Sequence, residues 1–131
     1  DMVEKGSGSM AITASTGAFS GSLALGTYAI SKLADIALVR NLALEYGPSG
    51  GRVNAICPGP TETEMMRGAE RGYNPDDPDQ AHEAWRQSVP LQRYARPTEM
   101  AAAITFLASE DASYVTGSVY NVDGGLMSQQ R

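Results

Sequence analysis

Residues 27–46 have the sequence TYAISKLADIALVRNLALEY, and this stretch decides the fold class. Thr27 is suited to cap the first turn of a helix, and Gly47 followed by Pro48 predicts where that helix stops. The pattern therefore predicts a helix from Thr27 to Tyr46. Because its apolar residues lie nearly all around the helix axis, packing on one layer alone would leave apolar surface in water. A second partner surface is expected.

Short apolar segments flank this helix and predict buried strands. Residues 9–15, SMAITAS, precede the helix, and residues 52–57, RVNAIC, follow it. In the first segment apolar and polar residues do not alternate regularly, as expected of a strand that is covered on both faces. Pro58, Gly59 and Pro60 close the second segment, because proline cannot continue a strand ladder.

The rest of the chain alternates in the same way. A helix is predicted over residues 97–109, and residues 118–122, SVYNV, make a third strand. Residues 61–96 are polar and acidic and form an excursion over a cleft, with short helices at 62–71 and 78–87. Helices that alternate with buried strands indicate crossovers in a parallel sheet. The predicted class is α/β, with three strands and crossover helices.

Composition excludes several classes of function. The 131 residues have room for one compact domain, and 10 Lys and Arg against 15 Asp and Glu give a net charge of −5, which disfavours nucleic-acid binding. The apolar runs are much shorter than the roughly 18 residues of a membrane span. Cys57 is the only cysteine, so no disulfide forms within the chain, and a reducing, cytoplasmic location is predicted.

Tyr28 and Lys32 carry the first chemical signal. They are four residues apart near the start of the helix, so they share one face. A nearby ammonium favours the phenolate, which would make Tyr28 a general acid–base near neutral pH. Ser15 ends the first strand, at the sheet edge where open α/β folds bind ligands, and its hydroxyl is placed to hold a substrate oxygen. A tyrosine and a lysine without a functional role, on an exposed helix face, would show the same spacing.

Four motifs in a fixed order carry a family resemblance. They are Ser15, residues 28–32 (YAISK), residues 52–63 (RVNAICPGPTET) and residues 122–125 (VDGG). Together they resemble the C-terminal half of a short-chain dehydrogenase/reductase. The resemblance implies a doubly wound, Rossmann-like parallel sheet, with residues 1–131 as the C-terminal half of a single NAD(P)-binding domain.

The resemblance also implies an activity, the transfer of a hydride between NAD or NADP and a secondary alcohol or ketone. In the family pattern, Tyr28 exchanges the proton with the substrate oxygen as general acid–base. Lys32 assists Tyr28 and holds the nicotinamide ribose, and Ser15 orients the substrate oxygen. The physical argument agrees, since negative charge develops on that oxygen and two donors would stabilise it there.

The family's Pro-Gly-x-x-x-Thr pattern matches Pro58, Gly59 and Thr63. The resemblance implies that backbone near Pro60 and Thr61 meets the nicotinamide carboxamide, and that Thr63 meets the carboxamide or the pyrophosphate. Thr61 replaces a usual aliphatic residue, which matters little for a backbone contact. Without the other motifs, the Pro-Gly pair would indicate only a turn that ends a strand.

Three large side chains in the excursion, Met65, Met66 and Trp85, would line the substrate pocket, as the corresponding loop does in the family. Core packing or a partner contact would explain them equally well. The only histidine, His82, is expected on a solvated helix face, and no catalytic metal is predicted.

Three further features are expected to be structural. Cys57 should be a small buried residue, and the Asn54 amide should bond neighbouring backbone beneath the site. Residues 123–125, DGG, should form a tight turn near a subunit contact.

The family's glycine-rich phosphate-binding turn has no counterpart in the sequence, because Gly6 and Gly8 precede a strand rather than a helix. Residues 2–6, MVEKG, have instead the pattern of a helix's last turn. We therefore expect a missing N-terminal half of the fold, on which activity and the choice between NAD and NADP depend. The alternative is a non-catalytic half-domain that serves only assembly or interaction. An isomerase or dehydratase on the same scaffold is a third hypothesis.

The expected partners follow from these assignments. They are a small-molecule alcohol or carbonyl substrate, the N-terminal half of the fold, and further copies of the protein. The apolar helix over 27–46 predicts a homo-oligomer, a tetramer or dimer, that packs through it. No nucleic acid or membrane partner is expected.

Overall fold

Three parallel strands form the centre of the fold in a computed structural model, which describes residues 2–20 and 25–129. In chain order the helices and strands are α1 (Met2–Lys5), β1 (Gly8–Thr13), α2 (Gly26–Tyr46), β2 (Gly51–Pro58), α3 (Glu64–Tyr73), α4 (Pro78–Ser88), α5 (Pro97–Ala108) and β3 (Val119–Val122). The predicted α/β class is confirmed, and the excursion carries α3 and α4.

The strands lie in the order β1, β2, β3 and pair in parallel throughout. Met10 pairs with Val53 across the first interface, and Ile56 pairs with Tyr120 across the second. Parallel neighbours need a crossover, and α2 supplies the first one. The carboxyl ends of the three strands consequently meet at one edge of the sheet, which we call the carboxyl edge.

Two apolar clusters cover the two faces of the sheet. Val53 and Cys57 of β2 pack with Val39 of α2 on one face, whereas Ile56 packs with Leu107 of α5 on the other. Alternate residues of a strand point to opposite faces, so one short strand serves both clusters. The sheet is therefore a middle layer between α2 and α5.

The predicted helices are present, but some of their bounds differ: α3 covers Glu64–Tyr73, two residues later than the predicted 62–71. The helix α2 begins at Gly26 with Leu25 in the N-cap position, so the expected cap at Thr27 is wrong, because Thr27 already lies inside the first turn. The predicted end at Gly47 is confirmed. After α1, Gly6 has a φ of 63°, a left-handed conformation that agrees with the helix end predicted over residues 2–6.

The helix α2 buries only one of its apolar sides. Ile36, Val39 and Ala43 are buried against the sheet, whereas Ile30 is 71% exposed and Leu44 is 80% exposed. In the ranges that the structure describes, the expected second apolar surface of α2 is therefore exposed. Within the described part of the chain, no helix has the length and apolar character needed to cross a membrane.

Two polar side chains of β2 tie the sheet to its surroundings. The Arg52 guanidinium donates to the Leu107 carbonyl near the end of α5, at 2.8 Å. The buried Asn54 amide donates to the Val115 carbonyl at 2.8 Å and accepts from the Ser118 N–H at 3.1 Å. The predicted architectural role of Asn54 is confirmed.

Candidate active site

Ser15 lies just beyond β1, at the carboxyl edge of the sheet. Its backbone is extended, and its Oγ accepts a hydrogen bond from the Gly17 N–H at 3.0 Å, which caps a short 3-10 turn over Thr16–Ala18. The cap fixes the hydroxyl oxygen, while the hydroxyl hydrogen is still available for donation. The side chain is half-buried, so a ligand at this edge can reach it.

Tyr28, in the first turns of α2, lies against the same glycine. A Cβ atom placed on Gly17 would lie 3.3 Å from Ser15 Oγ and 3.4 Å from Tyr28 Cε1. Gly17 therefore lies next to both the Ser15 hydroxyl and the Tyr28 ring. The structure brings together these two candidate residues, which are thirteen positions apart in the sequence.

Lys32 lies one turn after Tyr28 and is held in place by two acceptors. Its Nζ donates to the Thr13 carbonyl at 3.0 Å and to Asp35 Oδ2 at 3.1 Å. These bonds use two of the three ammonium donors, and one is left for another acceptor. Asp35 is a site residue that was not predicted, although its position three residues after Lys32 on a helix was the available signal.

Pro58 and Gly59 connect the ends of all three strands. The Pro58 carbonyl accepts from Thr16 Oγ1 at 3.0 Å, and the Gly59 N–H donates to the Val122 carbonyl at 3.1 Å. A Cβ on Gly59 would lie 2.8 Å from Asp123 Cα, closer than a side chain can come to backbone. The glycine is therefore required by the close approach of the β3 end.

Thr61 and Thr63 form hydrogen bonds within the loop that follows β2. Thr61 is buried, and its Oγ1 donates to the Gly59 carbonyl at 3.0 Å. Thr63 Oγ1 donates to the Thr61 carbonyl at 3.2 Å and accepts from the Met66 N–H at 3.3 Å as the N-cap of α3. A contact of Thr63 with a cofactor stays a prediction, and its capping role is one that the sequence analysis missed.

An isolated parallel β-bridge joins this loop to the end of the excursion. Thr61 pairs with Ala95; the Ala95 N–H donates to the Pro60 carbonyl, and the Glu62 N–H donates to the Ala95 carbonyl, both at 2.9 Å. The partners are more than thirty residues apart, and the sequence carries no signal of this pairing. The backbone at Pro60 and Thr61 is therefore held rigidly at the carboxyl edge.

The three predicted substrate-pocket residues lie on the excursion helices. Met65 is 75% exposed, Met66 is half-buried, and the half-buried Trp85 packs against the Tyr73 ring with centroids 5.5 Å apart. A cavity of about 520 Å³ beside Pro60 is lined by other residues, from 89–95 and 121–125 among them. A role for these three side chains in substrate binding stays a prediction.

His82 does not lie on a solvated helix face, and that expectation is wrong. Its Nδ1 lies 2.9 Å from Glu70 Oε1, and its ring packs on Tyr94 with centroids 4.2 Å apart. Glu70 and Tyr94 belong to other segments, so the sequence neighbours of His82 did not reveal them. Among the described residues, no group of three or more His, Cys, Asp or Glu side chains is placed to hold a metal ion.

Two of the residues expected to be structural behave as predicted. Cys57 is fully buried, and burial raises the pKa of its thiol, which the hydrogen bond to Ser15 backbone only partly opposes. The thiol is therefore kept protonated. The Asp123 carboxylate accepts from the Gly125 N–H and the Met127 N–H, each at 2.9 Å, which confirms the tight turn.

The chemistry of this donor set fits a nicotinamide nucleotide. A phenol and an ammonium one helical turn apart suit neighbouring ribose hydroxyls, because each can donate to an oxygen. The fixed backbone at Pro60 and Thr61 lies at the same edge of the sheet and suits a carboxamide. Open α/β sheets bind their ligands at this edge.

Comparison with known proteins points in the same direction. A family model described as enoyl-(acyl carrier protein) reductase matches residues 1–127. The oxidoreductase UcpA of Salmonella typhimurium is 46% identical over 75% of this chain and 37% of its own length. Levodione reductase of Leifsonia aquatica is 42% identical over 95% of this chain and 46% of its own length. The chain thus spans less than half of each of these curated relatives.

Solved structures agree in fold as well as in sequence. A crystal structure of levodione reductase matches 98% of this chain and 50% of its own, with a TM-score of 0.95 and 40% identity. A gluconate 5-dehydrogenase from Burkholderia cenocepacia, solved in complex with NADP and tartrate, matches 98% of this chain and 48% of its own, with a TM-score of 0.87 and 26% identity.

Proposed function

The chain belongs to the short-chain dehydrogenase/reductase family, and we propose that its protein is an oxidoreductase that transfers a hydride between NAD or NADP and a secondary alcohol or ketone. The observation that carries the proposal is the meeting of Ser15 and Tyr28 over Gly17, with Lys32 one turn further along α2. Three polar side chains of suitable chemistry then face one small region of the carboxyl edge.

In the direction of reduction, the Tyr28 phenol donates its proton to the substrate carbonyl oxygen. The Ser15 hydroxyl donates a hydrogen bond to the same oxygen and stabilises the negative charge that develops there. Gly17 fixes the Ser15 oxygen through its N–H, so the hydroxyl need not reorganise during the reaction. In oxidation the two residues act in reverse, with Tyr28 accepting the proton.

Lys32 has two tasks in this scheme. Its ammonium assists Tyr28 in the proton exchange, and its remaining donor holds the nicotinamide ribose hydroxyls. The backbone at Pro60 and Thr61 would hold the carboxamide, with Thr63 close by. When bound, the nicotinamide supplies or accepts the hydride. Structures of relatives with bound NADP support a nicotinamide cofactor.

We further propose that residues 1–131 form the C-terminal half of a single dinucleotide-binding domain. The strand β1 lies at an edge of the three-stranded sheet, where the strands of an N-terminal half would pair. The relatives are about twice as long as this chain, which supports the same view. The N-terminal half would supply the helix N-terminus that binds the pyrophosphate.

The proposed activity is tested on the complete protein with a panel of secondary alcohols and ketones. We expect nicotinamide absorbance to rise with an alcohol and NAD or NADP, and to fall with a ketone and the reduced cofactor. Turnover of a panel compound without net absorbance change would favour an isomerase or dehydratase. Absence of nicotinamide binding would favour the non-catalytic module.

We also propose that the protein assembles through α2. Ile30, Leu33, Ala37 and Leu44 are exposed and lie on one stripe of the helix, at helical spacing. Two such stripes would bury each other, and the small Ala37 at the centre would let the helices approach closely.

Light scattering on the complete protein is expected to show a dimer or tetramer. Ala37→Glu should lower the mass, because it places a charge in the centre of the apolar contact. Ala84→Glu, on an exposed position of α4, is the matched control and should leave the mass unchanged. A wild-type monomer would contradict the proposal.

A further inference from the structure

Glu70 is a fully buried carboxylate in the excursion, remote in sequence from Ser15, Tyr28 and Lys32. Its side chain is 0% exposed, and three groups converge on its two oxygens. Tyr94 Oη donates to Oε1 at 2.9 Å, His82 Nδ1 lies 2.9 Å from the same oxygen, and Arg67 donates to Oε2 at 2.6 Å. We call these four side chains the Glu70 cluster.

The Glu70 cluster keeps its carboxylate charged. Burial alone would raise the pKa of Glu70, but the hydrogen bonds from His82, Tyr94 and Arg67 outweigh it and hold that pKa below its ordinary value. Burial and the neighbouring carboxylate raise the pKa of Tyr94, so its hydroxyl remains a donor. The bond between Tyr94 and Glu70 is therefore charge-assisted, which makes it stronger than a neutral one.

Tyr94 links this cluster to the loop at the carboxyl edge. The next residue, Ala95, forms both backbone hydrogen bonds to Pro60 and Glu62, and its pairing holds Thr61. On the other side, Arg93 donates to the Tyr94 carbonyl at 3.0 Å and to the Glu99 carboxylate of α5. Tyr94 thus has its side chain fixed by α3 and its backbone fixed between the loop and α5.

An apolar contact between the same segments would cost less free energy, because burying a charge carries a desolvation penalty. A carboxylate with three directed partners instead fixes the orientation of the groups around it. Arg67 extends the cluster to α4 by a second bond, to Asp79 at 2.8 Å. The two excursion helices and the Tyr94 segment are thereby held as one unit.

We propose that Glu70 and Tyr94 are positioning residues that set the place of backbone 60–62 at the carboxyl edge. This inference rests on the proposed function in one respect, that the same backbone holds the nicotinamide carboxamide. The cluster does not touch the reacting atoms. It acts through Ala95, and its loss leaves Ser15, Tyr28 and Lys32 in place.

Tyr94→Phe in the complete protein tests the proposal. The variant keeps the ring that packs on His82 and removes only the hydroxyl bond to Glu70. We expect the Kd of the nicotinamide nucleotide and the substrate KM to rise roughly tenfold, with kcat within about twofold of wild type. Hydrogen exchange of the Glu62 and Ala95 amides should become faster. Glu70→Gln, which keeps the side-chain volume, should act in the same direction.

Tyr114→Phe is the matched control, since Tyr114 is fully exposed and the variant makes the same chemical change. It should alter neither binding nor exchange. A lower Tm of Tyr94→Phe with unchanged Kd, KM and amide exchange would show a merely structural role and overturn the proposal. If the wild-type protein binds no nicotinamide nucleotide, the proposed function fails, whereas the exchange rates still decide whether Tyr94 holds backbone 60–62.

Discussion

Tyr28→Phe in the complete protein is expected to lower kcat by about 10²–10⁴, the range that general acid–base catalysis contributes. Phenylalanine keeps the ring that packs against Gly17 and removes only the hydroxyl that is proposed to exchange the proton. The Kd of the nicotinamide nucleotide should rise far less than kcat falls, because only one ribose contact is lost while Lys32 and the 60–63 backbone remain. Steady-state rates and a fluorescence titration of the cofactor measure the two quantities separately.

The control for this variant is a tyrosine whose hydroxyl has no part in the proposed chemistry. Tyr114→Phe changes the same group at a fully exposed position and should turn over like wild type. A Tyr28→Phe enzyme with wild-type kcat would refute the acid–base role. A loss of cofactor affinity as large as the loss in rate would instead indicate that the hydroxyl mainly binds.

The layers of the fold were predictable because each depends on local patterns. The run over residues 52–57 has too few polar positions for an exposed strand, and the structure buries it on both faces. The helix α2 stops at Gly47 as predicted, since glycine and the proline after it mark a helix end. Its start differs from the prediction, because Leu25 takes the N-cap position without a side-chain hydrogen bond, and a leucine carries no capping signal in the sequence.

The candidate site was predictable to the extent that helix and strand geometry place its residues. Tyr28 and Lys32 share a face through their spacing, and Ser15 comes to the carboxyl edge because β1 ends there. The anchoring of Lys32 by the Thr13 carbonyl depends on how α2 packs over β1. Such packing distances have no periodic signature in a sequence.

The contacts of the Glu70 cluster could not be predicted from the sequence. His82 has acidic sequence neighbours at Asp79 and Glu83, which favoured a solvated helix face. In the structure its carboxylate partner is Glu70, twelve residues away on another helix. Tyr94 completes the cluster from a segment without regular secondary structure. Contacts between helices and loops depend on tertiary packing, which single-sequence patterns do not encode.

Lys32→Ala is expected to damage both rate and cofactor affinity. The change removes the ammonium that is proposed both to assist Tyr28 and to hold the ribose hydroxyls. We expect kcat to fall by roughly 10² or more, and the nucleotide Kd to rise about tenfold, as for the loss of a hydrogen bond from a charged group. The folded state should change little, because Lys32 and Asp35 are both part-exposed, and exposed ion pairs contribute little to stability.

The chain contains its own matched control for this change. Lys5, the other lysine, is exposed on α1, and Lys5→Ala should leave both rate and affinity as in wild type. Asp35→Asn tests how far the anchoring of Lys32 matters, because it keeps the ammonium and weakens one of its two anchors. We expect Asp35→Asn to lose less rate than Lys32→Ala, since the Thr13 carbonyl still holds Nζ. An unchanged nucleotide Kd in Lys32→Ala would remove the ribose role and leave Lys32 only as the partner of Tyr28.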